Sequence, residues 1–109
     1  MSAWPPPPDL SSIKELVRDA DTEGFIANGS PADEYDGEAE QIFAIFGRWT
    51  TAQLTVPNLV PIIEKAWTRS FGYDDGILTI ARPKLEGLAK QIARFFGPEA
   101  TPQVRQRSE

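Results

Sequence analysis

The sequence predicts an all-α fold, a compact and irregular bundle of about four helices that follows an extended, proline-rich N-terminal arm. Apolar residues recur at intervals of three and four in four separate segments, which is the period of an amphipathic helix. No two segments show alternating apolar residues joined by hairpin turn residues, so nothing indicates a sheet. For 109 residues we expect one helical domain over residues 10–97, between an arm at 1–9 and a disordered tail at 98–109.

The arm consists of Trp4 and the four prolines that follow it. Proline fixes its own φ and disfavours the helical region for the residue before it, so the arm is expected to be extended. Pro5 and Pro8 satisfy the P-x-x-P pattern of ligands for aromatic grooves of SH3 or WW type. The alternative is that the arm lays Trp4 on the surface of its own domain and leads into the first helix.

The first helix is predicted near residues 10–20, with Asp9 or Ser11 as its N-cap. Four residues at helical spacing form its apolar face: Ile13, Leu16, Val17 and Ala20. The next segment is rich in turn-forming residues, but it also contains Phe25 and Ile26. We therefore expect an ordered loop that these two side chains anchor to the core.

The second helix is predicted to begin at Ser30. Ser30, Pro31 and Asp33 are typical of a helix start, because they supply an N-cap, a proline at the first helical position and an acid three residues after the cap. Five residues at intervals of four and three are expected to pack into the core: Tyr35, Ala39, Ile42, Phe46 and Trp49. Gly47 is expected to end the helix.

A single helical turn carrying Leu54 is predicted between Thr50 and Gln53, which can cap each other. The third helix is predicted to begin after Asn58 as N-cap, which places Pro61 in the first turn, where a missing amide costs little. Its broad apolar stripe predicts the central helix of the bundle: Leu59, Ile62, Ile63, Ala66, Trp67, Ser70 and Phe71.

The third helix is expected to end at Gly72, and residues 73–76 are predicted to form a turn. The apolar run at 77–80 fits either a helical turn or an extended segment. From Pro83 the periodicity is helical again, and a fourth helix is predicted from there to Gly97. Its core face is expected to contain Leu85, Leu88, Ala89, Ile92, Phe95 and Phe96.

Composition limits the chemistry that this chain can perform. It contains neither His nor Cys, which excludes histidine general bases, thiolate nucleophiles and zinc-finger ligand sets. The net charge of -5 opposes binding to nucleic acid or to anionic membranes. No phosphate-binding loop or nucleophile-elbow motif is present. We therefore assign no catalytic, cofactor-binding or metal-binding residues and expect a non-enzymatic protein.

The densest chemical feature is a set of five carboxylates near the start of the second helix, which we call the acidic segment. Its members are Asp33, Glu34, Asp36, Glu38 and Glu40. The spacing fails the EF-hand pattern, because aligning Gly37 with the invariant glycine places Ala32 and Phe43 at ligand positions. The acids either favour the free amides of a helix start or offer a docking surface to a basic partner.

Three hypotheses for function follow from these features. The first is a small acidic protein-interaction domain that contacts a protein partner through the acidic segment, with Trp4 as a further candidate contact. The second is an immunity or antitoxin protein that neutralises a basic toxin or nuclease. The third is a carboxylate-dependent divalent-metal enzyme, for which Glu34 and Glu38 lie four residues apart.

Self-association is a further alternative, since the chain has an acidic middle and a basic end. No stretch has the length of a membrane-spanning helix and the N-terminus lacks the pattern of a signal peptide. A cytoplasmic location is therefore expected.

Three groups of residues resemble the YugE-like family of small bacterial helical domains of unknown function. They are Asp21 with Gly24-Phe25, the stretch from Ser30 to Asp36 with Glu38, and Trp67 with Ser70-Phe71-Gly72. The resemblance covers about residues 12–97 and implies a compact all-α bacterial domain without an assigned catalytic mechanism. It transfers no active-site residues. The family usually shows a Trp-Asp-Pro-like start of the first loop, where this chain has Ala20-Asp21-Thr22.

Overall fold

Four helices surround one apolar core in the computed structural model, which describes residues 8–31, 33–98 and 100. They are α1 (Leu10–Ala20), α2 (Asp36–Phe46), α3 (Val56–Phe71) and α4 (Asp75–Phe96), with a short 3-10 helix at Thr51–Gln53. The described residues contain no strand, so the predicted all-α class is confirmed. The arm before Pro8, including Trp4, and the tail beyond residue 100 lie outside the described residues, as do residues 32 and 99.

The helices form a closed ring of neighbours. The most extensive contacts join α1 to α2, α2 to α3, α3 to α4, and α4 back to α1. The core between them contains Ile13 and Val17 of α1, Ile42 of α2 and Trp67 of α3, all with no exposed surface. The predicted apolar faces of the four helices therefore largely turn inward. Trp49 and Phe95 are only partly buried, and Ser70, which was placed in the stripe of the third helix, is exposed.

Trp67 is the largest fully buried side chain. Its ring nitrogen Nε1 donates a hydrogen bond of 2.7 Å to Oγ1 of Thr22, which lies in the loop after α1 and is itself buried. A buried indole N–H requires an acceptor, because an unsatisfied polar group in an apolar core is costly. This hydrogen bond joins the loop to α3.

The predicted start of the second helix is wrong. The backbone N–H of Ser30 donates to the carbonyl of Phe25 at 2.9 Å, so Ser30 closes the preceding loop instead of capping a helix. Residues 33–35 form a turn, in which the Asp36 N–H donates to the Asp33 carbonyl at 3.0 Å, and α2 begins at Asp36. The local capping pattern therefore does not start a helix, because the loop after α1 extends to Ser30. The predicted end at Gly47 is confirmed.

The predicted start of the third helix is also wrong. Asn58 does not act as its N-cap, because its Nδ2 donates to the carbonyl of Gln53 at 2.9 Å. The helix begins at Val56, after Thr55. Pro61 consequently lies inside α3 and not in its first turn. The predicted capping of the single turn at Thr50 and Gln53 is confirmed, with Gln53 Oε1 accepting from the Thr50 backbone N–H at 2.9 Å.

The ambiguous run at 77–80 is helical, and the predicted start of the fourth helix at Pro83 is wrong. Asp74 caps a helix that starts at Asp75, and its Oδ1 accepts from the backbone N–H of Ile77 at 2.8 Å. The helix continues through Pro83, whose missing N–H affects the carbonyl of Thr79 on the exposed side of the helix. Water can satisfy that carbonyl, so the proline is tolerated. The predicted end at Gly97 is confirmed.

Within the described ranges, no helix combines the length and the apolar character that crossing a bilayer requires.

The Thr22–Trp67 hydrogen bond generates a stability prediction. Thr22→Val keeps the shape of the side chain but leaves the indole N–H of Trp67 buried without an acceptor, so the free energy of unfolding should fall by about 1–3 kcal/mol. Urea unfolding followed by fluorescence measures this loss. Thr68→Val is the matched control, because the Thr68 side chain is partly exposed and forms no hydrogen bond with a described residue, so its change should stay within about 0.5 kcal/mol. Equal losses in both variants would contradict the prediction.

Candidate partner-binding surface

The loop after α1 folds around a single carboxylate. Helix α1 ends at Asp21, which has a left-handed backbone conformation with φ of 40°. Its side chain then accepts hydrogen bonds from two backbone amides of the loop, that of Ile26 at 3.1 Å and that of Ala27 at 2.9 Å. Aspartate tolerates this conformation better than most residues, and its short side chain reaches nearby amides. The loop is therefore ordered, as its sequence predicts.

Tyr35 joins this loop to the start of α2. Its hydroxyl donates to Oδ1 of Asp21 at 2.7 Å and accepts from the backbone N–H of Glu23 at 2.9 Å. Its fully buried ring stacks on Phe25, with the ring centroids 5.8 Å apart. Tyr35 was predicted to pack into the core, and it does. The polar role of its hydroxyl depends on the loop conformation and has no sequence signal.

The two side chains stabilise each other's protonation states. The hydrogen bond from Tyr35 lowers the pKa of the Asp21 carboxyl below its ordinary value, and the Ile26 and Ala27 amides lower it further. Burial, followed by the hydrogen bond to Asp21, raises the pKa of Tyr35 to about 12. At neutral pH the carboxylate is therefore charged and the phenol protonated, which is the arrangement that the short hydrogen bond needs.

A row of aromatic rings continues from Tyr35 toward α3 and α4. Phe25 contacts Phe71 with 5.8 Å between ring centroids, and Phe71 stacks on Tyr73 at 6.1 Å. The hydroxyl of Tyr73 is buried and has no hydrogen-bond partner among the described residues. Burial and the nearby Glu23 carboxylate raise the pKa of Tyr73, so this phenol stays protonated. The row fixes the loop against α3.

Two members of the acidic segment are neutralised by α1. Arg18 binds both carboxylate oxygens of Asp36 through one edge of its guanidinium, with 3.2 Å from Nε to Oδ1 and 2.9 Å from Nη2 to Oδ2. Lys14 lies 3.8 Å from Asp36 and 3.7 Å from Glu40. The Asp36 side chain is only 21% exposed. The bidentate pair raises the pKa of Arg18 and holds α1 against the start of α2.

The other three members of the acidic segment lack such counter-charges. Asp33 and Glu34 are exposed and Glu38 is partly exposed, and none of them forms an ion pair within 4 Å with a described residue. Asp33 lies near enough to Arg18 to contribute to the raised pKa of that guanidinium, but Arg18 forms its hydrogen bonds with Asp36. We call Asp33, Glu34 and Glu38 the unpaired acids. The acidic segment is therefore divided into a structural part and a part whose charges face water. The sixth candidate contact, Trp4, lies outside the described residues.

The described residues contain no group of three or more acidic side chains that could hold a metal ion. Glu34 and Glu38, whose spacing suggested a metal site, therefore have no third acidic ligand beside them among the described residues.

A groove between α3 and α4 has no counterpart among the features predicted from the sequence. It is an open depression of about 450 Å³ lined by Pro61, Glu64, Lys65, Thr68, Arg69 and Leu78. The ion pair between Arg82 Nε and Glu64 Oε2, at 2.9 Å, joins the two helices beside it. No local sequence pattern predicts this groove, because it forms only when Leu78 is helical and packs beside α3.

The chain matches no protein-family model, no curated protein and no solved structure. These comparisons therefore do not test the resemblance to the YugE-like family. Asp21, Phe25, Tyr35 and Phe71 form the hydrogen-bonded loop and its aromatic support.

The Tyr35–Asp21 hydrogen bond predicts a pKa change. Tyr35→Phe removes the largest influence that lowers the pKa of Asp21, so the Asp21 carboxyl should titrate at a higher pH than in the wild type. Carbon-detected NMR of the carboxyl group measures this directly. Tyr73→Phe is the matched control, since it removes a hydroxyl that does not contact Asp21. An unchanged Asp21 titration in Tyr35→Phe would refute the prediction.

The raised pKa of Tyr35 predicts a loss of stability at high pH. The folded protein favours the neutral phenol, so this contribution is complete below the ordinary pKa of 10.0 and disappears as pH rises from there to about 12. Urea unfolding from about pH 9 to about pH 11.5 should therefore show a steeper loss of stability in the wild type than in Tyr35→Phe. Identical slopes would show that Tyr35 ionises as easily in the folded chain as in the unfolded one.

Proposed function

We propose that this protein is a small, non-enzymatic protein-interaction domain and that the unpaired acids Asp33, Glu34 and Glu38 contact a basic surface of its protein partner. The proposal narrows the predicted docking surface to three of its five acids. Asp36 and Glu40 have a different role, because they hold α2 against α1.

The observation that carries the proposal is the division of charge within the acidic segment. Lys14 and Arg18 neutralise Asp36 and Glu40, yet no described cation approaches the other three acids within 4 Å. Glu38 lies in the first turn of α2, where negative charge is favourable, but Asp33 and Glu34 precede the helix, so stabilisation of its start does not account for all three acids. Unneutralised charges on a surface steer association with an oppositely charged partner.

Two anchored residues lie between Glu34 and Glu38 in the chain. Tyr35 is buried and bonded to the loop after α1, and Asp36 is held by Arg18. A surface that is already ordered loses little conformational entropy when a partner binds. This order supports a docking role for the unpaired acids.

The chemistry of the described residues supports binding over catalysis. The two phenols with raised pKa values are sheltered, and the Tyr35 hydroxyl already donates one hydrogen bond and accepts another. No cluster of acids among the described residues supports the metal-enzyme hypothesis. A basic toxin or nuclease belongs to the class of partner that the unpaired acids fit, but no contact of the described residues favours it over other basic proteins.

Charge reversal tests the proposal. The variant Asp33→Lys, Glu34→Lys, Glu38→Lys should lose the partner that the wild type captures from a lysate of its source cells. With the purified partner, the association rate should fall roughly tenfold, because attraction becomes repulsion. Raising the salt concentration should slow association of the wild type, and surface plasmon resonance measures both rates.

The matched control is Glu86→Lys, Glu99→Lys, Glu109→Lys, which carries the same net charge but leaves the unpaired acids in place. It should retain the partner. Capture of the same proteins at the same rates by both triple variants would contradict the proposed role of the unpaired acids. Circular dichroism establishes that each variant is folded before it is compared.

A further inference from the structure

The first half of α4 exposes a pair of isoleucines. Ile77 is 47% exposed and Ile80 is 81% exposed. Residues three apart lie on the same side of a helix, so the two side chains form one apolar strip. Large exposed aliphatic side chains on a single helix face are typical of a docking surface when they are adjacent. Ile45, which is 50% exposed on α2, is the other exposed isoleucine among the described residues.

Opposite charges flank this strip. Asp74 is exposed at the start of α4, three residues before Ile77, and Lys84 is exposed four residues after Ile80. Lys84 lies close enough to Asp21 to lower its pKa, but it makes no ion pair within 4 Å with any described residue. The two charges are about 15 Å apart along the helix axis. The face therefore presents, in order, an acid, two isoleucines and a base, and we call it the α4 strip.

This order is self-complementary when two copies lie antiparallel. With a two-fold axis that crosses α4 near residues 78 and 79, Ile77 of one copy lies opposite Ile80 of the other. The same axis places Asp74 opposite Lys84, and symmetry makes each contact occur twice. A parallel arrangement would instead bring like charges together, which is unfavourable. The charge pattern thus selects one partner and one direction.

We infer that the α4 strip is the interface of a homodimer in which two copies of this chain pack antiparallel through the first half of α4. The contact is isologous, so it closes at two copies and does not extend into a filament. It differs from the head-to-tail association that an acidic middle and a basic end suggest. It also leaves the unpaired acids out of the contact, so it is independent of the proposed partner surface.

The interface is small, since it consists of two turns of helix from each copy. Small interfaces form weak and reversible complexes, and we expect a dissociation constant between about 10 µM and 1 mM. Sedimentation velocity of the full chain over this range should show the average mass rising from monomer toward dimer. A monomer throughout the range would overturn the inference.

Two variants with the same substitution locate the interface. Ile80→Glu should raise the dissociation constant at least tenfold, because each copy would bury an uncompensated carboxylate. Ile80 is largely exposed in the monomer, so the variant should fold, which circular dichroism verifies. Ile45→Glu is the matched control and should dimerise like the wild type. Equal dimerisation of both variants, or loss of the dimer in Ile45→Glu, would overturn the inference.

A double-mutant cycle tests the antiparallel direction. Asp74→Asn retains a capping side chain but removes the charge, and Lys84→Met removes the opposite charge at similar length. Each should raise the dissociation constant roughly threefold to tenfold, and the double variant no more than either, because both disrupt the same pair. The two positions are too far apart to couple within one chain, so effects that multiply would overturn the antiparallel arrangement.

Discussion

The hydrogen bond between Tyr35 and Asp21 is the constraint on which the described surface depends. It closes the loop after α1 and fixes the point at which α2 can begin, because a buried Tyr35 bonded to the loop leaves Asp36 as the first helical residue. That start places Asp36 within reach of Arg18. The ring of Tyr35 also supports Phe25, which in turn contacts α3 through Phe71. The Tyr35–Asp21 pair therefore links the loop to α1 and α2 directly, and to α3 through the aromatic rings.

The periodicity of apolar residues was sufficient to predict the four helices and most of the core, because burial of one helix face is a property of local sequence. Capping side chains were predicted correctly where their partners were local, as at Asp9 and at Thr50 with Gln53. The predictions failed at Ser30 and Asn58. In each case the deciding hydrogen bond, from Tyr35 to Asp21 for α2 and from Asn58 to Gln53 for α3, goes to a residue upstream of the capping pattern, which that pattern does not contain.

The same distinction between local and tertiary information explains the outcome for the candidate site. Composition revealed that the start of α2 is acidic, but the pairing of Asp36 with Arg18 depends on how α1 packs against α2. A partial signal was present, since Lys14 and Arg18 lie four residues apart on one face of α1. The α4 strip could not be predicted from the sequence for a different reason. The run at 77–80 matched two secondary structures, and Ile77 and Ile80 share a face only in the helical one.

Pro83 has a mechanical consequence for α4. It supplies no N–H to the carbonyl of Thr79, so one rung of the helical ladder is missing between the first two turns and the part of the helix that is anchored by Leu85 and Leu88. The first turns therefore depend more on side-chain contacts, which include the Arg82–Glu64 ion pair and the packing of Leu78 against the core. A molecule that binds these turns in their helical conformation has an apparent affinity that is reduced in proportion to the fraction of molecules in which they are helical.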